Sequence, residues 1–460
     1  MPPKKKRQPK PKIELKNPQG TVIGDFARVV NNFIQKVDEK LLKRIGVEQR
    51  VGFVALGLIA VLGFTATYFL LRPHQKEVMT GEFRIAIASF AENGRGLPDK
   101  IGYTIADGIN IRLSEDLHEI TIGPKVEIWG PDRVGVIKGE TSEVRAKNAE
   151  KLAKQIQAYM VIYGVVEESP NGMSVTPEFY LDTQGFHEGT EIIGQYQLGS
   201  SFPLPGANNP SWAYEFDKQM YTRSDIISSL AVGLSYFAVH EYDKALEVLE
   251  SIDTIQGWEN EQGKEVLYAL IGFAAGKTEQ YDLTKSSLEK AIDINPEYAR
   301  PYIGMANLNY ILALKPIEES KNVNDVDQAL LDNCFKFLEL AVQAPEKPPL
   351  ADVDTKIHFS RGQCYWLRTY TGRLPDFSLA ISEFQQVITA YNNGANPRVR
   401  EFAAESYARL GLIDSLTNNM AEAAKNYQTA ADLLPDIPDR QQLYQKRADK
   451  INQALSQPTP

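Results

Sequence analysis

The side chains able to hold a metal or attack a substrate are few and scattered. His74, His118, His187, His240 and His358 show neither HxxxH spacing nor a His–Glu pair at helical ligand distance, so no metal site is expected. Cys334 and Cys364 do not make a disulfide framework, and both fall in helical patterns where a small buried residue is the ordinary reading. The loop "GETSE" could cradle an anion, but it lacks the glycine spacing and the lysine of a phosphate loop. Asp107 and Gly108 read as the start of a helix. There is no nucleophile elbow, and the acidic residues are spread as solvation of helix faces requires. The expectation is a non-catalytic protein with no cofactor.

The elements that carry these residues are announced by charge and hydropathy. Residues 1–50 hold 13 Lys and Arg against 5 Asp and Glu, a net +8, which leaves −17 on the rest of this 460-residue chain of net charge −9. An acidic bulk is a poor match to nucleic acid, where phosphate binding needs a dense basic face. Val51 to Leu71 carry no charge, amide or proline, and a helix of that length covers the roughly 30 Å hydrocarbon core of a bilayer. With 50 residues before it and "RPHQKE" after it in place of a cleavage site, it reads as an uncleaved transmembrane span. Its flanks predict a single-pass plasma (inner) membrane protein, N-terminus cytoplasmic and C-terminal domains extracytoplasmic. The apolar residues from Val22 to Ile45 recur every three or four positions. That segment either lies in the membrane interface or pairs with another helix, and a homo-oligomer through it and the span is a further expectation.

From about residue 80 the pattern is mixed. "FRIAIASF" is a buried strand. Ile105, Ile109, Leu113 and Leu117 make a helix face, "VEIWG" a short strand, and "TSEVRAKNAEKLAKQIQA" a capped helix. "YMVIYGVVEE" and "MSVTPEFYLD" form a hairpin, and "EIIGQYQL" adds a strand. This α+β order, with "IAIASF", "IADGI", "YGVV" and "VTPEFYLDTQG" in sequence, resembles the N-terminal domain of TolB and the FlgO-like modules, with Ser89 in place of the usual proline. The resemblance implies a bacterial cell-envelope interaction domain without catalytic residues.

After "LPGANNPSW" the period becomes helical. Gly233, Tyr236, Tyr242, Ala245 and Leu249, and again Gly272, Tyr281, Leu288, Ala291 and Pro296, resemble successive tetratricopeptide (TPR) units. Looser units follow around Gly304, around Gly362 and around Ala404, with a polar capping helix at the end. The expected organisation is a basic tail (1–20), an amphipathic helix (21–49), a transmembrane helix (50–72), a TolB-like α+β domain (80–205), a linker (206–222) and an all-α TPR solenoid (223–457).

The resemblance implies that first-helix side chains face a concave surface. The inward positions are Leu230, Leu234, Phe237, Phe273, Met305, Leu308, Phe359 and Trp366, which either line a protein-binding groove or are packed core. The function expected is a membrane-anchored scaffold or adaptor for cell-envelope proteins. The alternative is a single-pass signal transducer, although 50 cytoplasmic residues are too few for a winged-helix DNA-binding domain.

Overall fold

The computed structural model describes residues 77–119, 124–170, 172–186, 192–197, 201–205, 212–255, 263–320, 322–394 and 396–456. These form one compact unit from Glu77 onward. The basic tail, the amphipathic segment and the apolar run Val51 to Leu71 lie outside the described residues.

Among the described residues no helix is long and apolar enough to cross a membrane. The expected fold class with a transmembrane helix, and the single-pass inner-membrane placement built on it, are therefore corrected to a mixed-sheet domain followed by a helical region. The physical reason lies in the helices themselves. Ile101–Glu119 carries Asp107, Arg112, Glu115 and Asp116, and the most uniformly apolar one, Lys264–Lys277, is 14 residues long, short of the roughly 20 a bilayer requires.

Alternation of side chains builds the sheet. In β1 (Phe83–Ile87), Phe83, Ile85 and Ile87 enter one core while Ala86 enters the other. It pairs in parallel with β3 (Val126–Trp129) on one side and β4 (Met160–Ser169) on the other, and short β2 (Ala91–Asn93) extends the pairing with β4. The hairpin joins β4 to β5 (Gly172–Leu181), with Met160 opposite Leu181 and Ser169 opposite Gly172. Strands β6 (Gly194–Gln197) and β7 (Phe202–Pro205) add antiparallel to β5.

Helix α1 (Ile101–Glu119) covers the first face with Ile105, Ile109 and Leu113. It lies so close that a Cβ at Gly102 would sit 2.1 Å from the carbonyl oxygen of Phe90. Asp107 and Gly108 fall in the middle of this helix, which starts at Ile101. After the short helix α2 (Pro131–Val134), α3 (Ser142–Ile156) covers the second face with Ala149 and Ala153. Its start is the capped one expected, since Thr141 Oγ1 accepts from Val144 N at 3.3 Å.

Eleven helices follow among the described residues: α4 (Trp212–Ala238), α5 (Tyr242–Ile252), α6 (Lys264–Lys277), α7 (Tyr281–Ile294), α8 (Ala299–Ser320), α9 (Gln328–Gln343), α10 (Val353–Tyr370), α11 (Ser378–Asn392), α12 (Arg400–Leu416), α13 (Met420–Asp432) and α14 (Pro438–Ser456). They pack as successive pairs, α4 with α5 through α12 with α13, and α14 closes the stack. Glycine sets the spacing of the pairs. A Cβ at Gly272 would stand 2.8 Å from Leu288 Cγ, and one at Gly362 would stand 2.8 Å from the Phe384 ring. Cys334 of α9 and Cys364 of α10 form a disulfide, so the reading of two separate buried thiols is replaced by a covalent link between consecutive pairs.

Candidate functional site

The first helices of the early pairs are occupied from within the chain. Arg300, in the first turn of α8, is buried; it donates to the Ile193 carbonyl at 3.0 Å and the Gln195 carbonyl at 3.4 Å, and bonds the Tyr196 hydroxyl. Its guanidinium also stacks 4.1 Å from the Tyr196 ring centroid. Gln195 N donates to Pro349 O at 3.1 Å, and the positive φ of Gly194 brings β6 against the 350–351 backbone, where a Cβ would lie 2.7 Å from Leu350 O. On α4, the Phe237 ring meets Phe186 of the sheet domain at 6.4 Å. The sheet domain thus sits on the first-helix side of the early pairs.

That packing decides where the eight inward positions fall. Leu230, Leu234 and Phe237 belong to the core shared with the sheet domain. Met305 and Leu308 form a small cluster with Leu288, with Phe273 half-buried against it. Phe359 packs on Phe384 at 6.2 Å and on Phe402 at 5.1 Å. Trp366 is 9% exposed and stacks on Tyr370 at 5.0 Å. The structure brings these residues into three separate clusters, of which the one around Trp366 adjoins exposed surface.

Beyond the start of α8, some first-helix residues are open. Ile311 in the middle of α8, Tyr370 at the end of α10 and Leu416 at the end of α12 are 42%, 44% and 48% exposed. Trp366 lies one turn after Gly362, the residue that lets α10 approach α11, and its stack with Tyr370 is an i, i+4 contact along α10. Arg409 of α12 places its guanidinium carbon 5.8 Å from the Trp366 ring centroid. Leu416 is two turns further along the same helix, on the same side as Arg409. Tyr310 of α8 is buried, and burial raises its phenol pKa while the charge of Arg409 pulls it down.

The polar groups around Arg409 are matched elsewhere. Arg440 spans Glu405 at 2.9 Å and Glu401 at 3.2 Å. Tyr444 donates its hydroxyl to Glu405, and burial followed by that carboxylate raises its pKa. Arg409 Nε and Trp366 Nε1 are buried and have no hydrogen-bond acceptor among the described residues. Reasoning from sequence found Trp366 but missed Tyr370 and Arg409; the i, i+4 spacing from Trp366 to Tyr370 was the available signal.

No group of three or more His, Cys, Asp or Glu side chains that could hold a metal occurs among the described residues. The site offers aromatic surface and hydrogen-bond donors.

A family model described as the tetratricopeptide repeat matches residues 266–298, which is α6, α7 and the turn that follows. No curated protein matches the chain.

Proposed function

We propose that this chain is a non-catalytic adaptor that binds another protein through the first-helix surface of its later helix pairs. The observation that carries the reading is the tetratricopeptide match at 266–298, a helix pair seated by Gly272 against Leu288 and continued by the helices after it. Repeats of this kind stack to bury their apolar faces and keep one side for partners. The sheet domain takes that side in the early pairs up to the start of α8, and Ile311, Tyr370 and Leu416 are the exposed residues further along. The order of strands and helices in the sheet domain supports the resemblance to TolB-like modules.

Affinity capture of the tagged full-length chain, compared with the Ile311→Asp, Leu416→Asp double variant, tests the reading. Both side chains are about half exposed, so the variant is expected to keep its circular dichroism and melting temperature while losing the partner at least tenfold. A folded variant that captures the same proteins in the same amounts contradicts it.

A further inference from the structure

We infer that the Cys334–Cys364 bond is closed before α9 and α10 pack, by exchange with an external disulfide, so that this chain is the substrate of a dithiol-oxidising reaction that acts on it as it folds. The inference stands apart from the protein-binding reading above. Both cysteines are fully buried, in a core that includes Leu331, Leu338 and Leu367. Phe335 and Tyr365, the next residue after each cysteine, bring their ring centroids to 4.8 Å. Arg368 adds its guanidinium carbon 4.2 Å from the Phe335 centroid and pairs with Asp332. Exchange requires an outside disulfide to meet a protein sulfur directly, and a sulfur with no exposed surface gives it no approach. An apolar setting also disfavours the thiolate that performs the attack.

The chain between the two cysteines resists a local opening that would admit the oxidant. Glu346 N donates to Glu297 O at 2.9 Å, and Glu346 O accepts from Ala299 N at 3.1 Å, at the start of α8. Pro349 O accepts from Gln195 N of β6 at 3.1 Å, and Asp352 is held by Arg398 at 2.6 Å. Swinging α10 away from α9 therefore breaks contacts with the preceding pair, the sheet domain and the turn before α12. In the unpacked chain both thiols meet solvent, and a separation of 30 positions is a loop that a flexible chain closes at modest cost. There, one cysteine thiolate attacks a sulfur of the oxidant's disulfide, forming a mixed disulfide and releasing one thiol. The other cysteine thiolate then attacks the protein sulfur of that mixed disulfide, closing the bond and releasing the second thiol. Two electrons pass to the oxidant, and the two cysteine protons end on its two thiols.

The test uses the full-length chain, reduced with dithiothreitol in urea and returned to native buffer in two ways, with glutathione disulfide as the oxidant. In one, the oxidant is present from the moment of dilution; in the other, it is added after the circular dichroism signal of the still-reduced chain has become constant. Alkylation and mass spectrometry count the remaining thiols. The early oxidant is expected to close the bond at least tenfold faster than the late one. A reduced chain that never regains the native signal until oxidised supports the same order of events, since closure then precedes the fold. In the reverse direction, dithiothreitol added to the oxidised native protein is expected to open the bond no faster than the protein unfolds, as followed by tryptophan fluorescence. A late oxidant that closes the bond as fast as the early one overturns the inference. So does reduction in native buffer that outruns unfolding, because either result shows that the sulfurs are reached in the packed protein.

Discussion

Arg398, in the turn before α12, forms an ion pair with Glu150 of α3 across 248 positions of sequence, and its Nε donates to Asp352 Oδ2 at 2.6 Å. All three side chains are about 15% exposed. One cation thus ties the sheet domain to the late helix pairs and to the loop before α10.

Replacing Arg398 with Met should lower unfolding stability by about 1–3 kcal/mol, because two mostly buried carboxylates lose their counter-charge while residual solvent access moderates the cost. The urea midpoint measures this. A change within about 0.5 kcal/mol, the range of ordinary surface substitutions, would show that the tie between the two halves is carried by apolar packing alone.

Reduction of Cys334–Cys364 removes a cross-link between residues 30 positions apart. By the loop-closure argument that costs about 3–4 kcal/mol. Denaturant midpoints with and without dithiothreitol read the effect, and two freely titrating thiols in protein purified under air would refute the bond.

Gly272→Ala places a methyl group against Leu288 in the pair that matches the repeat family. The expected penalty is about 1–3 kcal/mol, and a second change, Leu288→Ala, should relieve the clash so that the two effects do not add. Strict additivity in the double-mutant cycle would mean that the two residues do not touch.

Asp182 caps the turn after β5 by accepting from Gln184 N at 3.1 Å, and it is 1% exposed. Burial raises its pKa above 3.8, while the bond from Gln184 works the other way. A carboxyl raised in the folded state favours folding most below its unfolded pKa, and that contribution is lost as pH rises through the folded value. Asp182→Asn keeps an acceptor for the cap without a charge. The variant should therefore match the parent near pH 3 and exceed it in melting temperature at neutral pH. A variant less stable than the parent at pH 7 would show that the charge is compensated in place.

Periodicity made the two halves readable. Alternating Phe83, Ile85 and Ile87, and the recurrence of glycine, alanine and leucine from Gly233 to Pro296, each report a local geometry that side-chain spacing enforces. What covers a helix face is a matter of long-range packing, so Leu230, Leu234 and Phe237 could be placed on one side of α4 but not beneath the sheet domain. Arg398 with Glu150, Arg300 with β6, and Cys334 with Cys364 join distant positions through no local pattern. The fold class changed for a different reason. Hydropathy flagged Val51 to Leu71, while the helices the structure describes carry a charged face or stop short of a bilayer's width.

The most direct test of the protein-binding reading is a photo-activated benzophenone side chain placed at Tyr370 in the living cell, with Val144 on α3, similarly exposed at 45%, as the control. A discrete cross-linked protein is expected from position 370 and none from position 144. No adduct at 370, or the same adducts at both positions, would contradict a partner surface on the late helix pairs.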